Sequence, residues 1–167
     1  MLAYAAIEPG QGHEAGRQLL AQLYREKTGR QMPPVLVTER GKPYFENDPL
    51  HFSISHTKHR VFCVLSDIPV GIDAEEADRQ IDLRLADKIL SPSERTRYEN
   101  APDKRLTLLK LWVLKEAYAK LTGTGLTLHW ISRTRWFSFS MRKASLTKSS
   151  IGTWRLLFAV LGVLTLK

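Results

Sequence analysis

The sequence predicts an α+β fold, and three observations carry that expectation. Short apolar runs of strand length, broken by Gly, Pro and Asp turns, dominate the chain up to Glu75. Apolar residues recur at helical spacing between Ala15 and Gly29, and again ahead of Gly123. From Ile81 onward the period is helical. With 167 residues the chain has room for one ordinary domain or two very small halves.

Leu2 to Ile7 reads as a first strand, and Pro9-Gly10-Gln11-Gly12 breaks it. Ala15, Leu19, Leu20, Leu23 and Tyr24 then line one face of a helix that ends at Gly29. Pro33-Pro34 stops any helix, Val35-Leu36-Val37 makes a short strand, and Gly41-Lys42-Pro43 is a turn or extended loop. Phe52-Ser53-Ile54-Ser55 alternates, Val61 to Leu65 is a buried strand, and Val70 to Glu75 is another after the turn Asp67-Ile68-Pro69. Leu83, Leu85, Ile89 and Leu90 suit a short helix. Ser91-Pro92-Ser93-Glu94 is a capping-box start, with proline at the first helical position. Ala101-Pro102-Asp103 opens the strongest helix, which carries Leu106, Leu109, Trp112, Val113, Tyr118 and Leu121 and stops at Gly123. The expected organisation is a short first half over 1–67, a second half over 68–126, and a basic tail over 127–167.

A hydrophobic fraction of 43% with 25% charged residues excludes a mainly disordered chain. The first residues lack a basic region followed by a long apolar core, so a secretory signal is not expected. The single cysteine, Cys63, excludes an internal disulfide and a Cys-rich zinc site; its setting in Val61-Phe62-Cys63-Val64-Leu65 suggests an inert thiol, in keeping with a reducing cytoplasm. The net charge of +8 raises nucleic acid as a partner, yet residues 1–120 are nearly neutral. The excess lies in residues 121–167, which hold seven Lys and Arg and no acid where roughly five or six acids are expected.

Asp73 and Glu75 are two apart on a strand and project from one face. Mg²⁺ is held by one or two carboxylates with phosphates and water, so the spacing suits a phosphate-linked metal, although a solvated strand edge looks the same. Glu116 and Lys120 share a helix face at i and i+4, ahead of Gly123-Thr124-Gly125. Ser55-His56-Thr57 could offer a hydroxyl and an imidazole to a phosphate. A serine nucleophile has no support, since no Gly-x-Ser-x-Gly elbow is present, and no Gly-rich phosphate loop supports nucleotide triphosphate hydrolysis.

In chain order, Gly41-Lys42-Pro43, Phe52 to Thr57, Val70-Gly71-Ile72-Asp73-Ala74-Glu75 and the run Leu111 to Leu126 resemble the successive motifs of the 4′-phosphopantetheinyl transferase superfamily over roughly residues 40–126. Gly-Ile-Asp-x-Glu and Trp-x-x-Lys-Glu-Ala-x-x-Lys are the specific part. Ser-His upstream of Asp-x-Glu resembles the larger, surfactin-synthetase-activator type. The resemblance implies transfer of the phosphopantetheine arm of coenzyme A to a serine of an acyl or peptidyl carrier protein, in a monomer of two pseudo-twofold α+β halves with the site between them. It further implies Mg²⁺ on Asp73, Glu75 and Glu116, pyrophosphate on Lys120, and coenzyme A phosphates near Lys42, Ser55 and His56. Glu116 is the base expected for the carrier serine and Lys120 its catalytic partner.

Lys115 belongs to the motif and either touches ligand or packs. Arg17, Arg25 and Lys27 are candidates for the adenosine 3′-phosphate by charge alone. Past Leu126 the resemblance is expected to stop, leaving the second half either short of strands, as in a frameshifted or decayed gene, or completed by strands of a divergent tail. An inactive family-like chain is therefore the first alternative. Arg133, Arg135, Trp136 and Phe137 interleave bases and aromatics, which keeps a nucleic-acid-binding module as a minor one. The apolar run Leu156 to Leu166 is too short to span a membrane and reads as a strand or hairpin.

Overall fold

The computed structural model describes residues 1–125, 150–151 and 154–162, the last two stretches as backbone. Five strands lie before residue 67: β1 (Leu2–Ala6), β2 (Val35–Val37), β3 (Pro43–Phe45), β4 (His51–His56) and β5 (Arg60–Ser66). Strands β1, β5 and β4 form an antiparallel sheet in that order, with Cys63 opposite both Ala3 and Ile54. Helix α1 (Gly12–Thr28) covers one face and buries Leu19, Leu20, Leu23 and Tyr24 against Val61, Cys63 and Leu65. On the other face Phe62 and Val64 meet Val70, Ile72 and Ala74. The central strand β5 is thus apolar on both sides, which is why Val61 to Leu65 reads as an unbroken apolar run.

The remaining strands β2 and β3 make a separate two-stranded ribbon. Its turn contains Gly41 at φ +84°, and Pro43 starts β3, where a missing N–H is tolerated. What reads in sequence as a loop at Gly41-Lys42-Pro43 is therefore half turn and half strand.

The second part starts with β6 (Val70–Glu76) and continues through a 3₁₀ turn (Leu83–Leu85), α2 (Ala86–Ile89), α3 (Pro92–Glu99) and α4 (Lys104–Thr122), to β7 (Ser150–Ile151) and β8 (Trp154–Gly162). The single helix expected over 83–90 is split. Asp82 caps the 3₁₀ turn by accepting from the Arg84 N–H, and only one turn of α-helix follows before Leu90 becomes extended. The capping box of α3 is present in both directions, and Asp103 caps α4 by accepting from the Leu106 N–H at 2.8 Å. Ala86, Ile89, Leu90 and Tyr98 pack with Leu108 and Leu111 of α4.

In the tail, β8 pairs antiparallel with β6 from Val70↔Gly162 to Glu76↔Leu156, and β7 lies beyond it. So β6 has a partner along its whole length, and the tail's apolar run, which reads in sequence as a strand or hairpin, supplies it. The two sheets share one strand order: β1-β5-β4 and β6-β8-β7 each place the first strand beside the last. Arg133, Arg135, Trp136 and Phe137 lie outside the described residues.

Helix α4 lies directly on β6 because Gly71 has no side chain. A Cβ there would stand 2.0 Å from the Ala117 carbonyl oxygen and 2.5 Å from the Leu121 amide nitrogen. These are backbone atoms that no rotamer change can move. Gly71→Ala is expected to destabilise the fold by about 3 kcal/mol, the upper range of overpacking costs, as read from urea unfolding.

Candidate functional site

The close approach of α4 to β6 creates one wall of a cleft of about 770 Å³, and the end of β4 with the start of α1 forms the other. Lys42, Ser55, His56, Asp73, Glu75, Glu116 and Lys120 all line it. Residues drawn from four separate segments of the chain therefore converge.

Asp73, on the strand facing the first sheet, is only 5% exposed. Its Oδ1 accepts from Lys120 Nζ at 2.7 Å and from Ser55 Oγ at 2.9 Å. Its Oδ2 is buried and has no hydrogen-bond partner among the described residues. Ser55 Oγ also accepts from Lys120 Nζ at 3.1 Å and from the Ala74 N–H at 3.2 Å, and Ser53 Oγ accepts from the Ile72 N–H at 3.1 Å. Lys120 thus reaches across to Asp73 although its i−4 neighbour Glu116 shares its helix face. Glu116 is half-buried, and burial followed by the negative charge of Asp73 pushes its carboxyl above the usual carboxylate range, against opposing pulls from Lys120 and Arg79.

Glu75 is ion-paired with Arg79, which also lines the cleft. The loop carrying Arg79 is held from α4, where Arg105 donates to the carbonyls of Ala77 at 2.8 Å and Arg79 at 3.0 Å. His56 sits at the end of β4, edge-on to His13 with ring centroids 5.3 Å apart. Gly12 makes room for it: a Cβ there would lie 2.6 Å from the imidazole. Lys42 donates from Nζ to the Leu121 carbonyl at the end of α4, a favourable place for a cation, and burial lowers its pKa. Of the three basic candidates by charge, Arg17 lines the cleft, whereas Lys27 pairs with Asp67 at 2.8 Å and Arg25 is elsewhere.

Lys115 packs within the fold. Its Nζ donates to Glu94 Oε2 at 2.9 Å, with both side chains 3% exposed. The same carboxylate oxygen accepts from the Ser91 N–H at 2.8 Å, so the α3 capping box and the motif lysine on α4 form one buried unit.

Among the described residues no three His, Cys, Asp or Glu side chains are grouped as a ready-made metal cage. Mg²⁺ does not need one when phosphates complete its shell. The donor chemistry fits a hard cation at Asp73, because a buried carboxylate oxygen left without a donor is costly and a cation would satisfy it. His13 and Arg79 were not singled out from sequence, and Trp112 was read only as a helix and motif residue. His13 next to a helix start and Arg79 four residues after Glu75 carry only weak local signals, since it is the tertiary fold that turns them toward the cleft.

These features bring carboxylates and cations together in one cleft, and the comparisons say which family the chain belongs to. The sequence profile of the 4′-phosphopantetheinyl transferase superfamily matches residues 69–158, and the chain belongs to that superfamily. The match continues past Leu126, where the motif-based reading expects it to end. β8 is a partner strand for β6 and carries no motif residue by which to be recognised. The chain is similar to 4′-phosphopantetheinyl transferase psf-1 of Bacillus pumilus (35% identical over 117 residues, 67% of this chain and 50% of that one). It is also similar to gsp of Aneurinibacillus migulanus (32% over 105 residues, 58% and 43%) and to Sfp of Bacillus subtilis strain 168 (33% over 93 residues, 54% and 41%). The alignments therefore span half or less of these relatives' own lengths. No helix among the described residues is long and apolar enough to cross a membrane.

Two outcomes follow from this geometry. Lys115→Met leaves the Glu94 carboxylate without its ammonium partner and is expected to cost about 3 kcal/mol in chemical unfolding, as for a broken buried pair. Glu116, whose folded pKa is raised, disfavours its own ionised form in the fold. That cost is present above its folded pKa and vanishes below its unfolded one. Glu116→Gln is expected to melt no lower than the parent at neutral pH, and that advantage should shrink as pH falls through the carboxylate range in calorimetric scans.

Proposed function

We propose that this chain transfers the 4′-phosphopantetheine group of coenzyme A to a serine of an acyl or peptidyl carrier protein. The single observation that carries the reading is Asp73, which stands against Lys120 with one buried oxygen unpartnered, in a cleft with Glu75 and Glu116. Family membership supports the same reaction. The sites lie where two halves, with a boundary near residue 68, would face each other, and the shared strand order of their sheets supports that division.

In this reading the hydroxyl of the carrier serine attacks the phosphorus that bears pantetheine. The bond from that phosphorus to the bridging oxygen breaks, and 3′,5′-adenosine bisphosphate leaves. Glu116 takes the serine proton. Lys120 neutralises charge growing on the departing phosphate. Lys42, His56 and Arg17 face the coenzyme's phosphates, while Ser55, whose hydroxyl is already engaged by protein groups, acts differently. Mg²⁺ held by Asp73 with Glu75 and Glu116 would polarise the pyrophosphate. For Glu75 to join, Arg79 must give up its ion pair, so Arg79 tunes how readily that carboxylate is available.

The test incubates purified protein with coenzyme A, Mg²⁺ and a panel of apo-carrier proteins and reads intact mass. The expected result is a mass gain of one phosphopantetheine on at least one carrier, with kcat reduced on the order of 10²-fold in Lys120→Ala, the range for losing one charge-stabilising donor. A folded protein that modifies no carrier and binds no coenzyme A sinks the reading and leaves the inactive family-like chain.

A further inference from the structure

Between β4 and β6 there is no backbone ladder among the described residues; β6 pairs with β8 along one edge only. On its other edge the N–H groups of Ile72 and Ala74, two residues apart, both meet serine hydroxyls, those of Ser53 and Ser55. The two serines are also two apart, so both project from one face of β4. Two hydroxyls stand where a partner strand's carbonyls would be. An unpaired buried amide costs about as much as a lost hydrogen bond, which explains why small polar residues occupy two successive positions on one buried face of β4.

The capacity of Ser55 decides its role. A serine hydroxyl has one hydrogen and two lone pairs. Its hydrogen goes to Asp73 Oδ1, and its lone pairs take the Ala74 N–H and Lys120 Nζ. A phosphate oxygen is an acceptor and would need the one hydrogen already committed. We infer that Ser53 and Ser55 form a hydroxyl clasp that replaces strand pairing between β4 and β6, and that Ser55 is a positioning residue for Asp73, not a coenzyme contact. By holding both the Asp73 carboxylate and the next amide in the chain, Ser55 fixes the carboxylate so that Oδ1 meets Lys120 and Oδ2 stays bare. The positioning half of this inference rests on the transferase reading; the clasp does not.

Residue-resolved amide hydrogen exchange on the ligand-free protein tests the clasp. Ser55→Ala is expected to speed exchange at Ala74 about tenfold more than at Ile72, and Ser53→Ala to do the reverse; equal or absent changes overturn it. Ser55→Thr, which keeps the hydroxyl, should retain protection at Ala74, and loss there would overturn the clasp even if Ser55→Ala does not fold. Coenzyme A titration tests the positioning. With Ser55→Ala, affinity without metal should stay within about twofold, while affinity with Mg²⁺ should fall about tenfold and return in Ser55→Thr. A tenfold loss without metal would make Ser55 a direct phosphate contact and overturn the role assigned. Because exchange is read on the free protein, a wild type that binds no coenzyme A would end the transferase reading while the amides still decide the clasp.

Discussion

The cleft depends on two stretches of backbone meeting with no side chain between them. At Gly71, β6 approaches α4 so closely that even a methyl group would overlap the Ala117 carbonyl. This proximity lets a lysine from the last turn of α4 reach a carboxylate on the strand below it, and it sets Glu116 within the field of the same aspartate. Had the helix stood off by the usual thickness of a side-chain layer, Lys120 and Asp73 would face each other across a gap that water could fill. The contact is steric in origin, and its consequence is electrostatic.

Burying Asp73 is expensive unless its charge is met. The fold answers on one oxygen with an ammonium and a hydroxyl, and leaves the other bare. Such one-sided satisfaction differs from the arrangement at Lys115 and Glu94, where a more deeply buried pair is closed off by a capping box. Two acid–lysine pairs on the same helix, five residues apart along α4, thus take opposite parts. One locks α3 to α4, and the other leaves a buried carboxylate oxygen without a partner among the described residues.

Much of this was legible in the residues. The period-2 and period-3.6 patterns located the main strands and helices, Ser91-Pro92-Ser93-Glu94 and Asp103 marked true helix starts, and the family resemblance joined Asp73, Glu75, Glu116 and Lys120, which the fold brings to one place. What stayed hidden was partnership. Sequence spacing pairs Lys120 with Glu116, but a strand from another part of the chain supplies a better-placed carboxylate. Lys42 reads as a loop lysine, yet it closes the end of a helix that lies far off in sequence. The apolar run Leu156 to Leu166 reads as a strand or hairpin, but nothing in it names β6 as the partner that it meets.

The double-sided burial of β5 has a practical meaning for anyone who would cut the molecule in two. Phe62, Val64, Val70 and Ile72 together account for roughly 6–12 kcal/mol of burial at about 1.5–3 kcal/mol each, comparable with the whole stability of a small domain. A break in the turn near residue 68 would give two fragments, each with a bare greasy wall. Neither fragment could cover its own wall, so fragment complementation, with both pieces expressed together, is the only form in which a split version of this protein should remain soluble.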